Sequence, residues 1–256
     1  MFYTSGKDMK KYIHSSITLI LFTLFLTGCQ SGYEEEQGEI YYKWIHGGNW
    51  TMEKTLLKDA DAASFTVIKN NLNIHLGKDD HHVFKDAFLL EYIDPDTFKQ
   101  VNGYYWKDKN GVYLLQFCST DCRIKSADPE TFTVFKGYNW AKDKNNVYYE
   151  LKKLREANAD SFVVIDNDWG KDNSFYYYHE LRLDLLHYDS AEVVSPYYIK
   201  DKKNVFFRNK LVKGANPKTF TADGIGSFGH DDKNMFDWEK NKGPISNQYR
   251  RTYLTE

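Results

Sequence analysis

Methionine and cysteine are scarce in this 256-residue chain, with four and three residues. Charge leans to neither side: 34 basic and 36 acidic residues leave a formal net charge of −2, so no cationic excess points to nucleic acid. A glycine-rich phosphate loop is missing, and no motif sets out a Ser-His-Asp or Cys-His arrangement. The apolar run from Ile17 to Leu26, about ten residues, is too short to cross a bilayer as a mature helix. These absences remove phosphate-loop enzymes, recognisable nucleophilic hydrolases and polytopic membrane proteins from consideration.

What the chain has in quantity is aromatic residues: 20 Tyr, 17 Phe and 6 Trp, which favour strands over helices. The length allows one or two domains with a sizeable core. At the N-terminus, Lys10 and Lys11 precede the apolar run, which ends in small residues before Cys29. That is the layout of a secretory signal peptide, and Met9-Lys10-Lys11 is the natural start if Met1–Asp8 is an over-extended reading frame. Leu26-Thr27-Gly28-Cys29 resembles the lipobox of bacterial lipoproteins. The resemblance implies cleavage between Gly28 and Cys29, with diacylglycerol and an N-acyl chain placed on Cys29, and no other cofactor. Residues 1–28 are then removed, leaving a mature chain of about −4 that is held by lipid rather than by a polybasic patch. By resemblance to Gram-negative sorting, Gln30 directs the protein to the outer membrane. Residues 29–39, with Glu34-Glu35-Glu36, read as a short solvated tether; 40–239 read as the folded domain and 240–256 as a polar tail.

Two landmarks recur through the domain at intervals of about thirty residues. The first is the block Lys142-Asp143-Lys144-Asn145-Asn146-Val147-Tyr148-Tyr149, with related copies around Asp79, Asp108, Asp172, Asp201 and Asp231. It reads as a hairpin turn beginning on Asp and closed by a left-handed residue, a place held by His82, Gly111, Asn146, Asn204 and Asn234. Phe175 stands there in the Asp172 copy, whose turn is expected to differ. Aromatics three residues before the Asp, such as Trp140 and Trp169, face apolar pairs on the returning strand. The second landmark is a helix cap: Asp61, Asp94, Asp128, Asn158, Asp189 and Asn216, followed in most copies by a Phe four residues on. It predicts a helix of about one turn. Tyr41–Leu57, with Gly47-Gly48-Asn49 as its turn, reads as a divergent half-repeat capping the array.

The expected fold is therefore mainly β: tandem repeats of antiparallel hairpins or meanders, each with a one-turn helix, stacked as a solenoid or closed like a small propeller. The unit resembles the DKNYY family of bacterial exported proteins, with the resemblance running from about Lys54 to Trp238. That family implies a repeat-built envelope domain and brings no established activity or catalytic residues.

Individual residues add little chemistry. Cys118 and Cys122 bracket three residues, and in an exported protein this spacing favours a local disulfide over a metal pair or a redox motif. The turn Asp residues are explained by turn geometry, so no metal is assigned to them. Paired acids such as Asp79-Asp80, Asp231-Asp232 and Asp166 with Asp168 fall in or beside turns and read as solvated rather than catalytic. His81-His82, His179 and His187 read as surface or strand residues. Tyr104, Tyr138, Tyr176, Tyr178 and Tyr197 fall outside the strict core positions and are the candidate partner-binding aromatics. The sum is a lipid-anchored, non-enzymatic binding or scaffolding module of the cell envelope. Its partners would be the membrane and an envelope protein or glycan, with a carbohydrate- or peptidoglycan-acting hydrolase as the alternative.

Overall fold

The computed structural model describes residues 31–254 apart from 49, 72–73, 117, 119–120, 137–138 and 224–225. The signal-peptide segment, Gly28, Cys29, Asn49 and Tyr138 lie outside the described residues. Among those described, the chain is mainly β and runs through seven small antiparallel sheets. Two compact units divide after Asp96.

The first unit opens with three strands, β1 (Gly32–Glu36), β2 (Glu39–His46) and β3 (Thr51–Leu56), in the order β1-β2-β3. The acidic run assigned to a tether is thus a strand from Gly32 onward. Its glutamates find cations that only folding brings near: Glu34 pairs with Lys43 and Glu36 with Lys54. Tyr33, on the same strand, donates to the carbonyl oxygens of His75 and Phe84, both at 3.2 Å, in the next sheet. Ile40, Tyr42, Leu57 and Phe84 form the core between the two sheets.

In the second unit each repeat folds as a meander. The third runs Thr133–Val134, Trp140–Lys142, Val147–Tyr149 and Lys152–Lys153, each strand paired to the next. Strands this short gain stability only by stacking. Trp140, Val147, Tyr149 and Leu154 of this repeat share one core with Phe162 and Tyr177 of the next, and Tyr198, Val205 and Phe207 share another with Phe220 and Phe236. Such nearest-neighbour packing within the unit is that of a solenoid. Both faces of the third strand are covered, which explains why its residues are all apolar.

The turns depart from expectation. None of His82, Gly111, Asn146, Asn204 or Asn234 has a positive φ, and the Asp172 copy, with Phe175, has the same hydrogen bonds as its sisters. The turn needs no left-handed residue because the Asp carboxylate, rather than a reversed peptide, takes up the N–H groups. Left-handed residues stand seven positions after the Asp instead, at Asp86, Glu150, His179, Arg208 and Trp238, where the third strand turns into the fourth. The cap landmark is a single hydrogen-bonded turn in most repeats, and only Tyr188–Ser190 forms a 3-10 helix. Its N-cap is His187, two residues before the expected Asp189, so Ala191 occupies the place Phe holds elsewhere. The expected polar tail is ordered too. Lys240–Pro244 completes the last sheet, and a helix α1 (Asn247–Tyr253) docks through Tyr249, which donates to buried Asp223 beside His230.

That shift at Ala191 explains a packing rule. The cap Phe lies on the residue two before the turn Asp, which is Gly77, Gly170 or Gly229 where the ring is Phe65, Phe162 or Phe220, and a Cβ at those glycines would collide with the ring. Beneath Phe132 the residue is Ala141, and Ala191 is matched by buried Ile199; the second repeat is the exception, where half-buried Phe98 stacks on Trp106 at 4.9 Å. Bulk on one side is balanced by its lack on the other. Gly170→Ile is expected to destabilise the fold by about 1–3 kcal/mol. Added to Phe162→Ala it should lose clearly less than the two single losses together in urea unfolding; additive losses would refute the shared-volume account.

Candidate functional site

The repeated feature with the most chemistry in it is the turn carboxylate. Asp143 Oδ1 accepts the N–H groups of Asn145 and Asn146, both at 2.8 Å, and Oδ2 accepts the N–H of Asp128 at 3.0 Å and the hydroxyl of Tyr148 at 2.7 Å. The side chain is only 2% exposed. Asp79, Asp172, Asp201 and Asp231 hold the matching cap N–H groups, of Asp61, Asn158, His187 and Asn216, at 2.9 Å each. A reciprocal bond closes each unit: Ser64, Thr97, Thr131, Ser161, Ser190 and Thr219 accept from the N–H just after the turn Asp. The two landmarks are therefore one hydrogen-bonded structure. That hydroxyl, always three residues after the cap, was the unread signal in the sequence.

Neighbouring repeats are stapled by the residue before the Asp. Lys78, Lys107 and Lys142 donate to the carbonyl oxygens of Pro95, Pro129 and Ala159, each in the next cap. On the second strand, the Tyr105 hydroxyl and the indole N–H groups of Trp140 and Trp169 reach the following repeat at Asn139, Asn167 and Ser195. The last repeat carries His230 instead of Lys, and its ring faces Asp223 at 2.8 Å.

The candidate residues fare differently. Asp79 and Asp231, read as solvated, are buried; their neighbours Asp80 and Asp232 are exposed, and Asp232 accepts from Thr219 and Asn216. Asp166 holds a loop through the N–H groups of Asp168 and Trp169, while Asp168 pairs with His179 at 2.7 Å. Among the described residues no three His, Cys, Asp or Glu side chains are grouped to hold a metal ion. Cys118 and Cys122 form a disulfide with Cα atoms 5.5 Å apart, in a stretch inserted between Leu114 and the bridge at Arg123. Tyr176 and Tyr178 are not available to a partner. Stacked neighbours bury both, and burial pushes the Tyr178 hydroxyl up to about 12. Tyr104 and Tyr197 are half-buried against the core.

What the sequence did not show is a ladder of planar groups along the left-handed turns. His179 stacks on Tyr149 of the preceding repeat and on Tyr178 of its own, both at 4.2 Å. Arg208 lies over Tyr178 and Phe207, and Trp238, 54% exposed, stacks on Phe207. A surface groove lined by Glu192, Lys200, Lys202, Pro217 and Lys218 marks one repeat junction, and Lys99, Lys107, Lys109 and Glu130 line another. Both are polar and open.

The DKNYY family model matches the chain twice, over residues 3–117 and 115–240, a wider span than the motifs alone suggested. The chain belongs to the DKNYY family. No curated protein and no solved structure matches it. In this chain the DKNYY block has a physical meaning residue by residue: Asp143 is the buried acceptor, Lys144 is exposed and pairs with Asp128 at 3.1 Å, and Tyr148 and Tyr149 are core. Burial pushes the Asp79 and Asp143 carboxyls up, but their N–H donors outweigh it and hold both below the ordinary value of 3.8. A depressed folded-state value means stability that is present above the ordinary carboxylate range and lost as pH falls through it. Asp143→Asn is expected to cost about 2 kcal/mol at neutral pH, since an amide must face donors. The gap between it and the parent chain should narrow below about pH 4 in thermal melts; a gap constant from pH 7 to 3 would refute the charged-acceptor account.

Proposed function

We propose that this DKNYY protein is a lipid-anchored cell-envelope protein whose repeat array acts as a non-enzymatic binding or scaffolding module. The observation that carries the anchor is Leu26-Thr27-Gly28-Cys29 behind a short apolar run preceded by Lys10 and Lys11, three residues before the first described strand at Gly32. An acylated Cys29 as first residue would leave no superfluous chain before the domain. Gln30 favours the outer membrane of a Gram-negative cell, on its periplasmic or surface side. The described residues contain no helix long and apolar enough to cross a membrane.

Support for binding rather than hydrolysis comes from how the carboxylates are used. Glycoside hydrolysis needs two carboxyl groups converging on one bond, one protonated and one free. Here the turn acids are buried in backbone bonds, Asp166 holds a loop, and Asp168 is paired with His179. The ladder from His179 to Trp238 offers planar groups for an envelope protein or glycan to stack on, and it replaces Tyr176 and Tyr178 as the candidate contact surface.

Metabolic labelling with a palmitate analogue is expected to mark the protein, and Cys29→Ala should abolish the mark. No label, or label surviving Cys29→Ala, would overturn the anchor. Release of sugar or peptide from envelope material by the purified chain would overturn the non-enzymatic reading.

A further inference from the structure

The first sheet has one end that core packing leaves unexplained. β2 and β3 meet there in a hairpin whose register pairs His46 with Thr51, Ile45 with Met52 and Trp44 with Glu53. Trp50 closes it with a φ of 58°, a conformation that a bulky side chain adopts at a cost, and it is 83% exposed. Met52, 37% exposed, and half-buried Ile45 lie opposite each other on one face, and exposed Gly47 and Gly48 complete the turn. An apolar tip held in a strained conformation and left in water calls for a partner.

The register of β1 indicates which one. Gly32, where β1 begins, lies opposite Lys43 of β2, so β2 continues for three residues past it, Trp44, Ile45 and His46, before the turn. Those three span about 10 Å. Cys29 precedes Gly32 by three residues, and whatever their arrangement they reach no further than about 10 Å. Chain length therefore holds Cys29 within about 10 Å of Gly32 and within about 20 Å of the strand end at His46. The acidic run is at the other end of the sheet, where Glu36 pairs with Glu39 across the β1–β2 turn. Glu53, the acid nearest the tip, sits one position from Met52 and so points to the opposite face from the Ile45–Met52 pair.

We propose that the β2–β3 hairpin tip, with Trp50 foremost, enters the headgroup–acyl boundary of the bilayer that holds Cys29. This rests on the lipid anchor proposed above and adds a second point of contact. Trp suits that boundary because its ring is apolar while its N–H stays hydrated. One side chain with its neighbours would bind a free domain to lipid only weakly. Tethered within about 20 Å, the same contact becomes effectively intramolecular and is populated. Two points of attachment would fix the orientation of the first sheet on the membrane, where a lipid on a free tether would let the domain tumble.

The experiment uses the full acylated chain in phosphatidylethanolamine–phosphatidylglycerol vesicles whose acyl chains carry bromine near the headgroup, a contact quencher of tryptophan. Vesicle-dependent quenching is expected, and in a Trp238→Phe background, which removes the other strongly exposed indole, it should fall at least about threefold in Trp50→Phe, because Trp106, Trp140 and Trp169 are buried in the fold and Trp44 is half-buried. Met52→Asp keeps the fluorophore but puts a charge on the tip; it should also reduce quenching while leaving the melting temperature unchanged. Quenching that is absent, or equal in the parent and Trp50→Phe, overturns the proposal. Acyl labelling of Cys29 on the same samples separates the two readings. Label without Trp50-dependent quenching sinks the tip alone. Quenching without label sinks the anchor and upholds the tip as a membrane contact.

Discussion

A carboxylate buried without water is tolerable only when every lone pair it offers is used. That constraint organises this protein. The turn Asp of each repeat cannot satisfy itself within its own hairpin, where two backbone N–H groups occupy one oxygen. Its second oxygen takes the N–H of a cap residue 14 to 18 positions upstream, as Asn158 serves Asp172 and Asp61 serves Asp79. Each unit is thereby a closed loop whose ends are bonded, and its length can vary within the repeat as long as cap and turn still meet. The extra residues in the copy at Asp79 are taken up by longer strands and a bulge, without breaking the bond.

Once closed, a unit still exposes two apolar faces, and neighbours supply the remedy. The Lys before the turn Asp and the aromatic at the start of the second strand both reach forward to carbonyl oxygens of the next repeat. Direction along the array is thus written into the side chains. In the repeat of Asp231, His230 takes the Lys position and turns to Asp223, which anchors α1 through Tyr249. In the first sheet, the face away from its core is polar next to the β1–β2 turn, where Lys54 is bonded to Glu36 and lies 4.4 Å over the ring of Tyr41.

Function has to be sought outside the repeated machinery, because nearly all of its polar groups are committed. A carboxylate fixed by three or four donors cannot move a proton or open to a metal without dismantling its repeat. What differs between repeats is at the margins: the planar ladder on the left-handed turns, the insertion carrying Cys118 and Cys122, and the exposed hairpin of the first sheet. A repeated scaffold whose edges differ from repeat to repeat makes those edges the places to look for function.

Much was legible in the chain before folding. Two landmarks in register disclose a β-repeat array, while the left-handed turn expected at Asn146, Asn204 and Asn234 is absent because each turn Asp bonds both its own hairpin and a distant cap. The short apolar run before Cys29 is read from neighbouring residues alone. Other features lay in contacts between distant positions. Glu34 and Glu36 look like a solvated tether until Lys43 and Lys54 are brought alongside them. Tyr176 and Tyr178 look surplus until a second sheet covers the strand's other face. Ala191 looks like a defect until Ile199 fills the space. A sequence determines the local period because that depends on residues a few places apart. Which side chains are buried, and which remain for a partner, is decided only when repeats stack, because burial belongs to a pair of surfaces and not to either one alone.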